Sequence, residues 1–341
     1  MAKVEDDPLL GPAGYVFQTP VRAKGQKPQA NGKLGRIRLT SAQVGRVARR
    51  RAEVMVKVTG SARGIRSLKE HLAYITRNGK IGAEREGGER IEGGANVREL
   101  AEQWWADCGR DRKAGARDTI NLILSMPPGT DPRAVADAAS AFAQKTFAGE
   151  YDYLLAHHNV DTDLKRPENP HAHLTIKTRG RTGHRLDPRK KDLQAWREAF
   201  AGELRERGVI AEATPRRVRG VTRKGQRQTI RHMDERSGSR VTQWKLQQAI
   251  KTVASGKTQV VETPWERAVR ERQRKARRAW NTLAAAFEQA GQPKLAQEIR
   301  QFVTAMPSAQ TEREHFVALA RKLLDKQHVN TQQARDRGRS R

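Results

Sequence analysis

Four of the nine histidines in this 341-residue chain fall in one window, His157-His158-Asn159-Val160-Asp161-Thr162-Asp163 followed by Pro170-His171-Ala172-His173. In an extended strand alternate side chains share a face, so His171 and His173 project together while Ala172 points the other way. If the strand before the 159–169 loop pairs antiparallel with this one, one of His157 and His158 meets them. Adjacent residues face opposite sides; His158 is the expected third member and His157 the alternate. Three convergent imidazoles hold a divalent cation from one side and leave positions open for substrate. Asp161 has two possible uses. It can accept the second ring N–H of a metal-bound histidine and so fix its tautomer, or it can take a proton from a nucleophile. The competing reading is that Asp161 and Asp163 simply begin the loop.

A nucleophile is the second ingredient. The chain has four tyrosines. Tyr15 lies in a basic N-terminal stretch, and Tyr151 and Tyr153 alternate along a strand, where sheet packing accounts for them. Tyr74 sits on a helix whose apolar face is Leu68, Leu72 and Ile75. It lies about 160° from Leu72, about 120° from Leu68 and about 100° from Ile75 around the axis, so it is not needed as core. On these grounds alone it is an ordinary helix tyrosine.

The elements that must position these residues follow from periodicity. Residues 53–58 alternate like a half-buried strand. A helix runs from about Arg66 and stops near Gly79, and 83–94, with four glycines and six charged residues, reads as a flexible loop. A helix over 97–106 precedes a strand at 119–125 ended by Pro127-Pro128-Gly129. Asp131-Pro132 opens a helix through Phe147, because Asp caps well and Pro suits the first turn. Strands at 151–158 and 170–177 flank the histidine loop, and a helix covers 192–207. The order β-α-α-β-α-β-β-α points to an α+β sandwich. The expected organisation is a disordered basic arm (1–50), a first domain (51–214), a basic linker (215–240), an α-helical C-terminal region (241–327) and a basic tail (328–341).

The bulk composition narrows the partner. There are 67 Lys and Arg against 38 Asp and Glu, a net charge of +29. Such an excess repels itself unless a polyanion absorbs it, which makes nucleic acid the natural partner. No segment has the broad apolar face and aromatic anchors that a membrane surface requires, and no run is long enough to span one. Cys108 is the single cysteine, so neither an intrachain disulfide nor a thiolate zinc cluster is available. A soluble, cytoplasmic protein is expected.

Three segments in this order carry a family likeness: Leu72-Ala-Tyr-Ile-Thr-Arg-Asn-Gly-Lys80, Ile120-Asn-Leu-Ile-Leu-Ser-Met-Pro-Pro-Gly129, and the His158…Asp161…Pro170-His-Ala-His173 run. Together they resemble the ordered motifs of conjugative plasmid relaxases of the VirD-type and MobP-type, within the HUH endonuclease superfamily. The likeness covers about 52–214. The resemblance implies an antiparallel sheet of about five strands flanked by helices, with the histidine pair on a central strand, followed here by the α-helical C-terminal region. It implies that Tyr74 is the nucleophile, that Ser125 lies near the DNA, and that His158, His171 and His173 bind the metal, Mg²⁺ or Mn²⁺. Arg77 and Lys80, in the tyrosine motif, are the expected DNA contacts, and Asp161 the catalytic carboxylate. The family spaces its motif as His-x-Asp, whereas this chain has one residue more between His158 and Asp161.

The activity implied is nicking of one strand at a plasmid transfer origin through a 5′-phosphotyrosyl intermediate. The implied partners are single-stranded origin DNA, accessory relaxosome proteins and a type IV coupling protein, with passage of the protein into a recipient cell. Rolling-circle initiators and transposases share this chemistry but generally place the histidine pair before the tyrosine. A non-catalytic DNA-binding accessory protein is the alternative of another class.

Overall fold

The alternating and apolar runs form strands, and the way these pair lays the two histidine segments side by side. The computed structural model describes residues 15–20, 34–107, 115–158, 169–222, 225–226, 228–255 and 262–339. These form two compact units: 50–214, and the described residues of 1–49 with 215–341.

The N-terminal stretch differs from the disordered arm expected of it. β1 (Tyr15–Pro20) and β2 (Leu34–Leu39) pair antiparallel, and α1 (Ser41–Ala48) follows. Thr40 and Gln43 close a capping box on α1, and Val44 and Val47 pack against Trp280, Phe287 and Ile299. Eight residues are too few for their apolar period to stand out from a basic background.

The second unit starts with β3 (Ala52–Glu53), β4 (Met55–Gly60), α2 (Ile65–Ile75), β5 (Ala83–Arg85), β6 (Arg90–Ile91) and α3 (Gly94–Ala106). It continues through β7 (Thr119–Ser125), α4 (Pro132–Phe147), β8 (Tyr153–His158), β9 (His171–Lys177), α5 (Lys190–Glu206) and β10 (Ala211–Glu212). Six strands make one antiparallel sheet in the order β4-β7-β9-β8-β5-β6. The sheet exceeds five strands because 83–94, expected as a loop, folds into the β5–β6 hairpin and pairs with β8. Asp131 caps α4 through the backbone N–H groups of Arg133 and Ala134, as the Asp-Pro pair predicts.

The sheet is buried on both sides, but unequally. Against one face, α4 and α5 pack Val135, Phe142, Phe147, Trp196 and Phe200 onto Leu122, Leu124, Leu155, Leu174 and Ile176. On the other, α2 and α3 pack Leu68, Leu72, Ile75, Leu100 and Trp104 onto Leu154, Ala156, Ala83 and Ile91. The second pair of helices thus covers the β8–β5 end, while Met55 on the edge strand β4 stays 45% exposed. A short parallel pair, β3 with β10, joins the start of the unit to its end.

The remaining elements are α6 (Gln228–Arg236), α7 (Arg240–Ala254), α8 (Pro264–Gln289), α9 (Pro293–Thr304) and α10 (Glu312–Arg339). α6 lies within 215–240, expected as linker, and Val218 from the same stretch is buried, its carbonyl accepting from Trp280 Nε1 at 2.8 Å. No helix among the described residues is long and apolar enough to cross a membrane.

Candidate active site

The strand register fixes which histidines meet. His158 stands opposite His171, and Ala156 opposite His173, so His158, His171 and His173 share one face of the sheet. His157 pairs with Ala172 on the other face, where its Nε2 lies 3.4 Å from Ser140 Oγ on α4. The three imidazoles that do converge have ring centroids 4.8 to 5.2 Å apart. A nitrogen from each lies within 4.8 Å of the others, and all three side chains are buried.

Hydrogen bonds set their tautomers. His158 Nε2 lies 2.6 Å from the Ile75 carbonyl and His171 Nδ1 lies 2.9 Å from the Asn169 carbonyl. A carbonyl only accepts, so those two nitrogens carry the protons, and the lone pairs fall on His158 Nδ1 and His171 Nε2. Donating one ring N–H to a backbone carbonyl while offering the other nitrogen is the usual posture of a metal-binding histidine. Three buried imidazoles on one side of a site suit a divalent transition ion with positions left for oxygen ligands.

Tyr74 comes from the helix beside them. Leu68, Leu72 and Ile75 anchor α2 on the sheet, which leaves Tyr74 on the flank, 48% exposed. Its ring meets His173 edge-on, with centroids 5.9 Å apart at 79°. The next residue, Ile75, is the one whose carbonyl holds His158, so nucleophile candidate and imidazole trio share one backbone junction. Asp118 secures the other end of α2, accepting from the Gly64 N–H at 2.6 Å.

The helix ends earlier than Gly79. Thr76 caps it, its hydroxyl donating to the Leu72 carbonyl and accepting from the Gly79 N–H. Arg77, Asn78 and Gly79 then all take positive φ (52°, 59° and 80°). This turn carries Arg77 back over Tyr74, with Cζ 5.4 Å from the ring centroid, and leaves Lys80 exposed beyond it. Ser125, on β7, stands opposite His171 and therefore on the same face. It is buried, its hydroxyl 3.3 Å from the Met126 carbonyl. Asp161, like Asp163, lies outside the described residues.

Two residues at this site were not singled out in the sequence. His71 lies one turn before Tyr74, stacked beside it at 6.5 Å, and its Nε2 is 3.0 Å from Thr175 Oγ1. Burial pushes its pKa down to about 4, so the ring is neutral at ordinary pH. Thr175 continues the alternation of His171 and His173 along β9, and that alternation was the signal that could have found it.

An antiparallel sheet thus carries three histidines on one face, with a tyrosine helix at its flank. Residues 74–209 match the nuclease domain of the MobA/VirD2-like relaxases. The T-DNA border endonuclease VirD2 of Rhizobium radiobacter is 27% identical over 218 residues, covering 58% of this chain and 49% of that protein. Over this stretch the chain is similar to the MobA/VirD2-like relaxases. It spans about half the length of the curated relative it matches. No solved structure gives a significant match.

Proposed function

We propose that the protein nicks one DNA strand at a plasmid transfer origin and remains attached to the 5′ end through Tyr74, as a site- and strand-specific relaxase in conjugative mobilisation. The observation that carries this reading is the T-shaped contact of the Tyr74 and His173 rings, centroids 5.9 Å apart, beside three imidazoles able to hold a cation. The reading requires the scissile phosphorus to lie between the Tyr74 hydroxyl and that cation.

In this reading the Tyr74 oxygen attacks the scissile phosphorus in line. The P–O bond to the 3′ oxygen breaks, and a 5′-phosphotyrosyl bond forms. The phenolic proton passes to a base, for which Asp161 is the candidate, and the departing 3′ oxygen takes up a proton. One ester replaces another, so the reverse reaction reseals the strand. A phenol ordinarily titrates near 10 and is a weak nucleophile at neutral pH. A divalent cation held by His158, His171 and His173, Mn²⁺ or Mg²⁺, supplies Lewis-acid stabilisation of the charge that grows on the phosphate oxygens. Arg77, Lys80 and Ser125 steer the strand: Arg77 by its charge over the Tyr74 ring, Lys80 by its charge beyond the turn, and Ser125 from the sheet face next to His171. Origin DNA, accessory relaxosome proteins and a type IV coupling protein are the partners this reading assigns. It places the protein in the bacterial cytoplasm before transfer.

Tiled single-stranded origin oligonucleotides, incubated with Mn²⁺ and resolved on a denaturing gel, test it. The wild type should yield a covalent protein–DNA adduct. Tyr74→Phe should bind the same oligonucleotide and give no adduct. An adduct from Tyr74→Phe would remove Tyr74 from the reaction, and a wild-type band shift with no adduct on any tile would make the protein a binder only.

A further inference from the structure

The positive charge of this protein is not spread evenly. Residues 50–214 carry 29 Lys and Arg against 24 Asp and Glu, whereas 1–49 with 215–341 carry 38 against 14. The excess therefore sits almost wholly outside the nuclease unit.

The same unit exposes aromatic rings. Trp104, Trp196 and Trp280 are buried, but Trp244 is 60% and Trp265 51% exposed. α7 turns Leu246, Ala249 and Ile250 toward Phe316, Val317 and Ala320 of α10. Trp244 lies about 140° around the helix from Ala249, on the side that packing does not use. Trp265 stands in the first turn of α8, inside the Thr263–Glu266 capping box and two residues before Arg267. Exposed cations share these helices: Arg240 and Lys251 along α7, and Arg267, Lys275 and Arg278 along α8. A docking protein calls for a continuous apolar patch. Trp244 has one exposed apolar neighbour a turn away, Val241, and indoles on helices rich in exposed cations suit bases and phosphates.

A small cavity in this unit adds a second, separate sign. Arg217 and Arg272 line it together with Thr222 and Gln273. Among the described residues neither arginine has an acidic partner, and loss of solvent followed by the repulsion of Arg272 lowers the pKa of Arg217. The Thr222 hydroxyl and the Gln273 amide already donate to backbone carbonyls, so the two guanidiniums are the groups that make a place for a phosphate.

We infer that the helical unit is a second binding surface for single-stranded nucleic acid, with bases stacking on Trp244 and Trp265 and a backbone phosphate held between Arg217 and Arg272. Unpaired strands are specified because a duplex hides the base faces. The inference does not depend on the nicking reaction.

The test uses the full chain in EDTA, so that no cleavage occurs, and a fluorescent oligothymidylate about 30 nucleotides long. Trp244→Ala and Trp265→Ala should each weaken binding by about five- to a hundredfold, the range that one base–indole stack supplies. Trp244→Phe and Trp265→Phe should keep most of the affinity, which separates the loss of stacking from misfolding. Arg217→Gln with Arg272→Gln should flatten the dependence of log affinity on log salt by about 0.7 for each phosphate no longer neutralised. Affinity for a duplex of the same length should be unchanged in the tryptophan variants. Wild-type binding by the alanine variants would overturn the stacking surface, as would an equal loss for the duplex. An unaltered salt slope would overturn the phosphate pocket.

Discussion

His71 shows how one side chain ties the tyrosine helix to the histidine strand. Its ring bonds Thr175, two residues along β9 from His173, while its other side lies along Tyr74. Because burial lowers its pKa from 6.5 to about 4, the unfolded chain binds a proton here that the folded chain refuses. The stability this neutral ring contributes is complete above about pH 6.5 and is lost as pH falls toward 4. His71→Gln cannot take up that proton, so its melting temperature should decline less steeply than the wild type's between those values. Parallel curves would show that His71 does not carry the effect. The imidazole trio makes its own prediction. Mn²⁺ should raise the melting temperature of the wild type, and His171→Ala with His173→Ala should abolish that rise whether or not any DNA is present. The trio itself was legible, because a strand's period of two puts His171 and His173 together from sequence alone. The choice of His158 over His157 was not, since it depends on the β8–β9 register across a loop of unspecified path.

At the scale of elements, the turn that closes α2 is the part most exposed to damage. A Cβ on Gly79 would stand 2.3 Å from the Gly93 carbonyl carbon and the Gly94 nitrogen, and the Gly93 N–H donates to the Gly79 carbonyl at 3.0 Å. Backbone therefore packs on backbone where α2 ends and α3 begins, and φ at Gly79 is already 80°. Gly79→Ala should cost about 2 kcal/mol or more, read from urea unfolding, through overpacking and left-handed strain together. Asp118→Ala should cost about 1 kcal/mol by releasing the start of α2. In the sequence Gly79 reads as a helix cap, and the contact with Gly93 is invisible because it joins residues that no local pattern links. The β5–β6 hairpin was missed for a related reason. Its inward residues are few, its outward ones charged, and it is strand only because β8 offers Ala83 an edge to pair with. By contrast β7, α4 and β9 were plain, since their apolar runs are long and their caps and breakers stand at the right ends.

At the scale of the whole molecule, each unit keeps its core to itself. Every residue of the two clusters that sandwich the sheet lies between 50 and 214, and the cluster around Trp280 draws only on 39–48 and 218–306. A fragment of residues 50–214 should therefore fold, with a cooperative melt and, in the reading above, nicking of a short origin oligonucleotide. With only a slight excess of cations, it should bind that oligonucleotide with a weaker salt dependence than the full chain does. Failure of the fragment to melt cooperatively would mean that its two cores are not sufficient.

The pairing of Ala52 with Ala211 and Glu53 with Glu212 brings both ends of the nuclease unit to one spot. Thr214 N donates to Glu53 Oε2 at 2.7 Å beside them. The unit is thus spliced into the helical one as a closed cassette, and this sets a timetable for synthesis. The ribosome delivers Leu39, Val44 and Val47 first and their partners Trp280, Phe287 and Ile299 last. Those early apolar residues wait, uncovered, while the whole cassette is made and folds behind them.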